Sequence, residues 1–454
     1  MARAYSGKTP GSFGVSTSAY IHVPFCRRRC YYCDFPISVV GDRPPIGSRG
    51  TGDGGQEIGG QQESGGTTAH LRERIKGSNS GTIAHYIDIL CQEICLTPAS
   101  GASLKTVFLG GGTPSLLSVE QLERVLKVLG QQFGIASGAE ISMEIDPGTF
   151  DLEQLQGYRA AGVNRVSLGV QAFQTDLLQA CGRSHTVREV YDAVDLIHQA
   201  GFQNFSLDLI SGLPHQTVEH WQESLERAIA LSPKHLSCYD LTVEAGTPFS
   251  RQFKPGMTPL PSDETTAEMY RMAQRTLTAA GYDHYEISNY AKPGYQCQHN
   301  RVYWENRPFY GFGMGATSYL GGDRVSRPRK TREYYEWVEE KTSAEVSSQQ
   351  AAKGGKGKDG GENVETRAGL AVEVLTQPST LKISPTEALH EQNASLASDF
   401  LLDTLMLGLR LAEGLNIGVL REQFGEETLQ RILTCLQPYV QKGWVELDRE
   451  QAAV

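Results

Sequence analysis

The chain has 454 residues, 39% hydrophobic and 21% charged, with a formal net charge of −10. That length allows two or three domains, and the acidic balance argues against a nucleic-acid or anionic-membrane surface as the main partner. No apolar run approaches the about 20 residues that a membrane span needs, and nine unevenly spaced cysteines fit a reducing compartment better than a disulfide framework.

Before Tyr20 there is no acidic residue and there are several Ser and Gly, a composition with some likeness to a transit peptide. It has no apolar core, so a cytoplasmic protein is expected, with the plastid stroma as the alternative. The β-rich run Ala19–Val23 leads directly into "HVPFCRRRCYYCDF", which places Cys26, Cys30 and Cys33 at spacing C-x3-C-x2-C. Clustered thiols in this setting point to metal. Zinc would need a fourth ligand, for which His22 and Cys297 are the candidates. A four-iron cluster on three thiolates leaves one iron open to a small molecule.

Val40–Ser80, including "TGDGGQEIGGQQESGG", and Thr342–Glu365, including "KGGKGKDGGEN", hold almost no large apolar residue and are expected to be unpacked insertions. Around them the chain alternates. Short β-rich runs at Ala19–Val23, Thr106–Leu109, Glu140–Ile145, Arg165–Val170, Asn204–Ile210 and His235–Leu241 are each followed by helical periodicity. The helices are expected at Thr82–Cys95, Val119–Phe133, Leu152–Ala161, Val187–Ala200, Val218–Leu231 and Glu264–Ala280. Six strand-then-helix units predict a parallel sheet, open or curled into a barrel. The tail Ala397–Asp448 carries the amphipathic "DFLLDTLMLGLRL", two further helical patterns and the strand-like "WVELD", and is expected to form a small winged-helix-like domain.

Unusual residues fall at the strand ends: the cysteines after the first, "GGGTP" (Gly110–Pro114) after the second, Glu144 and Asp146 at the third, Gln171 at the fourth, Asp208 in the fifth and Tyr239 in the sixth. Active sites of parallel barrels lie at the carboxyl ends of the strands, so one shared site is expected there. Glycines suit close backbone approach to a ligand. Cys91 and Cys95, one helical turn apart, are expected to face the core; Cys181, Cys238 and Cys435 need only be small apolar residues.

The cysteine spacing followed by the glycine run resembles the radical S-adenosylmethionine superfamily. "AYIHVPFC", "VFLGGGTPSLL", "EIDPGTF", "RVSLGVQAF", "GRSHT", "LDLISGLPHQT" and "YDLTVEAGTPF" resemble the HemN/HemW family of oxygen-independent coproporphyrinogen III oxidases and haem chaperones. The resemblance implies a partial (βα)6 TIM-type barrel and a small C-terminal domain. It further implies a [4Fe–4S] cluster on Cys26, Cys30 and Cys33, and S-adenosylmethionine near Tyr20, Tyr32, Gly111, Gly112, Thr113, Glu144, Gln171, Arg183 and Asp208, with Asp240 and Thr317 beside them. Oxidases of the family continue the motif to a fourth cysteine, where this chain has Phe35, and "QHNRVYW" resembles the HNxxYW motif of the haem chaperones. That branch implies haem as ligand, His299 as its iron ligand, and acceptor proteins that receive the haem; a decarboxylating oxidase is the alternative. The expected layout is an N-terminal extension (1–18), a barrel (19–250) interrupted at 41–80, an extension with the HNxxYW motif (251–340), an insertion and linker (341–394) and the C-terminal domain (395–454).

Overall fold

Inside-outside alternation along six parallel strands builds the molecule. The computed structural model describes residues 14–41, 83–354 and 399–447. The strands are β1 (Ser18–Val23), β2 (Leu104–Gly111), β3 (Ile135–Ile145), β4 (Arg165–Gln171), β5 (Phe205–Ser211) and β6 (His235–Asp240), paired in that order. On each, one set of side chains is apolar and fully buried beneath the helices: Ala19, Ile21 and Val23; Val107 and Leu109; Val166 and Leu168; Leu207 and Leu209. Burying each large aliphatic residue contributes about 1.5–3 kcal/mol, so this parity fixes the register. The opposite parity is polar and faces inward: Tyr20 and His22, Thr106, Glu140 and Glu144, Arg165 and Ser167, Ser206 and Asp208, His235 and Ser237. Neighbouring strands share this face, with Ser167 Oγ donating to both Asp208 oxygens at 2.9 and 3.0 Å and Ser206 Oγ 2.8 Å from His235 Nδ1.

The covering helices are α1 (Ile83–Leu96), α2 (Val119–Phe133), α3 (Leu152–Ala160), α4 (Val187–Gln199), α5 (Val218–Ala230) and α6 (Asp263–Ala279). Reciprocal capping boxes start α2, α4 and α5, from Ser118 with Gln121, Thr186 with Glu189 and Thr217 with His220. Such caps satisfy the orphan amides of the first turn, so each helix begins directly behind its strand-end loop.

The sheet is wider than the six expected strands. β7 (Asp283–His284) and β8 (Asn289–Ala291) extend it antiparallel beyond β6, and β9 (Tyr310–Phe312) pairs parallel with the other edge, β1. Between those two edges runs α7 (Gln298–Trp304), which crosses the amino-terminal end of the barrel. Its start is tied to Glu140, which accepts from the amides of Gln298 and His299 at 3.2 Å. A hairpin, β10 (Thr317–Leu320) with β11 (Asp323–Ser326), and α8 (Thr331–Gly354) follow.

Here the expectation for Thr342 onward needs correcting: the backbone stays helical to Gly354, because the aromatic face of α8, with Tyr334 and Val338 fully buried, starts a helix that Ala and Gln continue. The remainder of that insertion, and residues 42–82 of the first, lie outside the described residues.

In the C-terminal part a helix over 399–408 is followed by α9 (Ile417–Gln441), which breaks at Gly425 with φ 82°. "WVELD" forms no strand over its described residues 444–447. Among the described residues no helix is long and apolar enough to cross a membrane.

Candidate cofactor site

The cysteine loop is held by its own arginine. Arg29 donates to the carbonyls of Cys33 and Phe35 at 3.2 Å and of Ile37 at 3.4 Å. A short parallel pair, Phe25–Cys26 with Ser38–Val39, closes it. The loop arches over the carboxyl ends of the strands and roofs a cavity of about 400 Å³. Cys26, Cys30, Cys33, Tyr32, Gly111, Gly112, Thr113, Glu144, Gln171, Arg183, Asp208 and Asp240 all line it.

Two of the three thiols meet donors. Arg183 Nη1 lies 3.5 Å from Cys30 Sγ, while its Nη2 pairs with Asp146 at 2.5 Å and donates to the Gly169 carbonyl at 2.9 Å. The Thr113 hydroxyl lies 3.6 Å from Cys26 Sγ and 3.1 Å from Asp146. Burial pushes the Cys26 thiol up to about 12, against the Thr113 hydrogen bond, and raises Cys33 as well. These thiols hold their protons unless a cation takes their place. Among the described residues no trio of His, Cys, Asp and Glu converges on a single-ion position. Three thiols spread around one cavity instead fit a cluster in which each binds a separate iron. His22 and Cys297 do not complete a zinc set. His22 spends both ring nitrogens, on Tyr20 at 3.0 Å and the Pro36 carbonyl at 2.9 Å, and Cys297 is buried at the start of α7, beside Glu140 of β3.

The glycine run works by absence. A Cβ on Gly112 would sit 2.7 Å from the carbonyl oxygens of Val23 and Phe25, and one on Gly111 would strike the His22 ring at φ +107°. The loop therefore packs backbone to backbone against the cysteine segment. Gln171 adopts φ 68° at a bulge between β4 and β5, a left-handed conformation that costs a non-glycine residue about 1 kcal/mol or more. Below the cysteines two carboxyls face each other. Burial, and then the charge of Asp208, raises Glu144 to about 8, against the Gly111 amide that donates to it at 2.9 Å. Burial also raises Asp208, opposed by the hydroxyls of Ser237 and Ser167. An ammonium or hydroxyl donor entering the cavity would relieve both.

Three expected residues lie elsewhere. Tyr20 stands one layer deeper, stacked on Phe108 at 6.3 Å. Thr317 is on the hairpin, 2.8 Å from Ser326. His299 is 1% exposed at the barrel floor, with Nδ1 2.8 Å from Thr106, Nε2 2.8 Å from Tyr303 and its ring stacked on Phe108 at 5.3 Å. With both nitrogens occupied and its ring buried, His299 is not presented to a haem iron, contrary to the expectation; burial also lowers the imidazole to about 3. The histidine instead locks α7 into the barrel. Cys95 is also exposed rather than in the core.

Asp146 is the site residue that the motif reading left out, although it links Arg183 to Thr113. Its place just after β3 and its presence in "EIDPGTF" were the signals for it. Ser167 and Tyr239 line the cavity too, and inward parity on β4 and β6 points to both.

A model of the Radical SAM superfamily matches residues 97–228, and one of the HemN C-terminal domain matches residues 397–453. Heme chaperone HemW of Synechocystis sp. is 47% identical over 329 residues, which cover 72% of this chain and 72% of that protein. The chain belongs to the HemW heme chaperone family. Family members from Bacillus subtilis and Escherichia coli are each 36% identical, over 71% and 69% of this chain and 76% and 74% of their own lengths. Among solved structures, the Escherichia coli coproporphyrinogen III oxidase HemN, described as a radical SAM enzyme, is similar at a TM-score of 0.55 and 26% identity, covering 72% of this chain and 70% of that one. Superfamily membership implies a [4Fe–4S] cluster and S-adenosylmethionine for HemW-family chains, and the donor set around this cavity fits both.

Proposed function

We propose that this protein is a haem chaperone that binds haem and passes it to acceptor proteins. In this reading Cys26, Cys30 and Cys33 would hold a [4Fe–4S] cluster, which would supply the binding place for S-adenosylmethionine. Gly111 and Gly112 offer backbone to that cofactor, Tyr32 flanks its base, and Glu144 and Asp208 accept hydrogen bonds from its ammonium and ribose hydroxyls. Arg183 keeps Cys30 and Asp146 in register.

The observation that carries the proposal is the 47% identity to a heme chaperone across most of both chains, supported by Phe35 at the place where the family's oxidases carry a fourth cysteine. The likeness to HemN favours a second reading, coproporphyrinogen III oxidase. One anaerobically reconstituted sample separates them. The expected result is about four irons per chain, haem binding and no conversion of coproporphyrinogen III. Sustained decarboxylation without haem binding would favour the oxidase. Cys30→Ala should abolish the cluster, whereas Cys91→Ala, on the buried face of α1, should leave it.

A further inference from the structure

A second cavity, of about 360 Å³, opens away from the cysteines, between the carboxyl end of α7, the hairpin and the helix over 399–408. Its wall is the small apolar cluster of Phe309 and Tyr319, with Tyr303 packed against it. The Tyr303 ring meets Phe309 edge-on at 4.7 Å. On the other side stand Met406 and Leu407. Met406 is 53% exposed and shares its helix face with Leu402 and Leu409, 61% and 54% exposed. An apolar stripe thus continues the cavity wall into solvent.

Two cations stand at the rim. Arg324 lies over the Tyr319 ring at 4.5 Å and pairs with Asp403 at 2.8 Å, and Arg307 pairs with Glu305 at 2.8 Å. Both pairs are half exposed and so weak, on the order of 0–1 kcal/mol; either guanidinium can exchange its partner for an incoming carboxylate.

A further polar group marks the wall. Asn306 is only 6% exposed, and its Nδ2 donates to Thr404 Oγ1 at 3.1 Å, yet its buried Oδ1 has no hydrogen-bond partner. A buried carbonyl left unpaired costs about 1–3 kcal/mol, which a ligand donor or a ligand-held water would recover.

We infer that this cavity is the haem site: the macrocycle lies between the Tyr303, Phe309 and Tyr319 rings and Met406, and its two carboxylates meet Arg307 and Arg324. Aromatic faces, an apolar exposed stripe and paired cations match a flat apolar molecule with two anionic arms. The assignment rests on the haem-chaperone reading and adds the place. It also gives the HNxxYW segment a role that a buried His299 can fill. His299 orients Tyr303 through the 2.8 Å hydrogen bond, and Tyr303 presents its ring to the cavity. His299 is thus a positioning residue here.

The test is haem titration of the full-length protein, followed by the Soret band. Arg324→Glu and Met406→Glu should each raise the Kd tenfold or more. Asp403→Asn, which frees Arg324, should lower it severalfold, a gain that misfolding cannot imitate. In the wild type, saturating haem should protect Met406 from mild oxidation severalfold, read by mass spectrometry, while Met257, 59% exposed and remote from the cavity, stays equally reactive. If the wild type binds no haem, the chaperone reading itself fails. If it binds haem but Met406 is unprotected and the three rim variants keep wild-type affinity, haem sits elsewhere and only this inference falls.

Discussion

Glu144 and Arg183 bring opposite electrostatic problems to one cavity. Glu144 keeps its proton up to about pH 8 because burial and Asp208 penalise its charge. Between the ordinary carboxylate range and pH 8, the unfolded chain has released that proton while the folded chain still holds it. Folding therefore takes up a proton, and stability falls as pH rises through the window. Glu144→Gln in the cofactor-free protein should raise Tm by several degrees at pH 8 and by little at pH 5, as thermal melts across that range would read. A parallel shift at every pH would mean that the carboxyl is already ionised in the fold. Arg183 has three acceptors in its fork: Cys30, Asp146 and the Gly169 carbonyl. Arg183→Met removes all of them, and iron per chain after reconstitution should fall to less than half. Arg183→Lys should recover only part, because an ammonium cannot reproduce the planar fork. Full iron content in the Met variant would reduce Arg183 to a structural ion pair.

Elements were legible where their signal was local. Alternating parity along β1 to β6, and the Ser118, Thr186 and Thr217 caps, put strands and helices within a few residues of their observed ends. The cavity was legible for the same reason, since residues at consecutive strand ends must converge in a parallel barrel. The edge strands β7 to β9 were not. They are two or three residues long and exist through their non-local partners, as in Tyr290 opposite Leu236 and Ala19 beside Tyr310. The position of α7 was equally hidden, because only Glu140 and Thr106, far away in sequence, explain why His299 turns inward. One such long-range clasp can be measured. Glu93 on α1, 2% exposed, pairs with Arg327 at 2.7 Å and accepts from the Gly313 amide and the Tyr334 hydroxyl at 2.8 Å. Arg327→Met leaves that carboxylate buried without its cation and should cost about 3–5 kcal/mol in urea unfolding. The double change with Glu93→Met should recover part of the loss, because no buried charge then remains. A single-variant cost below about 1 kcal/mol would show that the Gly313 amide and Tyr334 hydroxyl suffice.

Across the whole molecule, the barrel and the C-terminal part differ in how they are held. The barrel has a continuous core around fully buried Trp221, Tyr86 and Phe312, whereas the apolar residues below a tenth exposure in 399–447 are Leu411, Leu420 and Leu429. Besides Phe400, which packs against the small cluster of Val302, Phe309 and Tyr319, and a bridge between Glu286 and Leu411, the C-terminal part meets the rest of the chain through a few polar contacts. The Ala412 amide donates to the Tyr285 carbonyl at 3.0 Å, Asn306 donates to Thr404, Arg324 pairs with Asp403, and Arg301 pairs with Glu413. Exposed ion pairs of this kind contribute little individually, so the C-terminal unit should open at a lower free energy than the barrel. Hydrogen exchange should therefore show amides of α9 exchanging at least tenfold faster than those of β2 to β5, and urea unfolding should proceed in two steps. The first step should leave the barrel's protection intact, because no C-terminal side chain enters its core cluster. Haem bound between Tyr303 and Met406 would span the two units and slow exchange over 399–408. A single cooperative transition, with equal protection in α9 and β3, would instead show that the few contacts now seen couple the two parts fully.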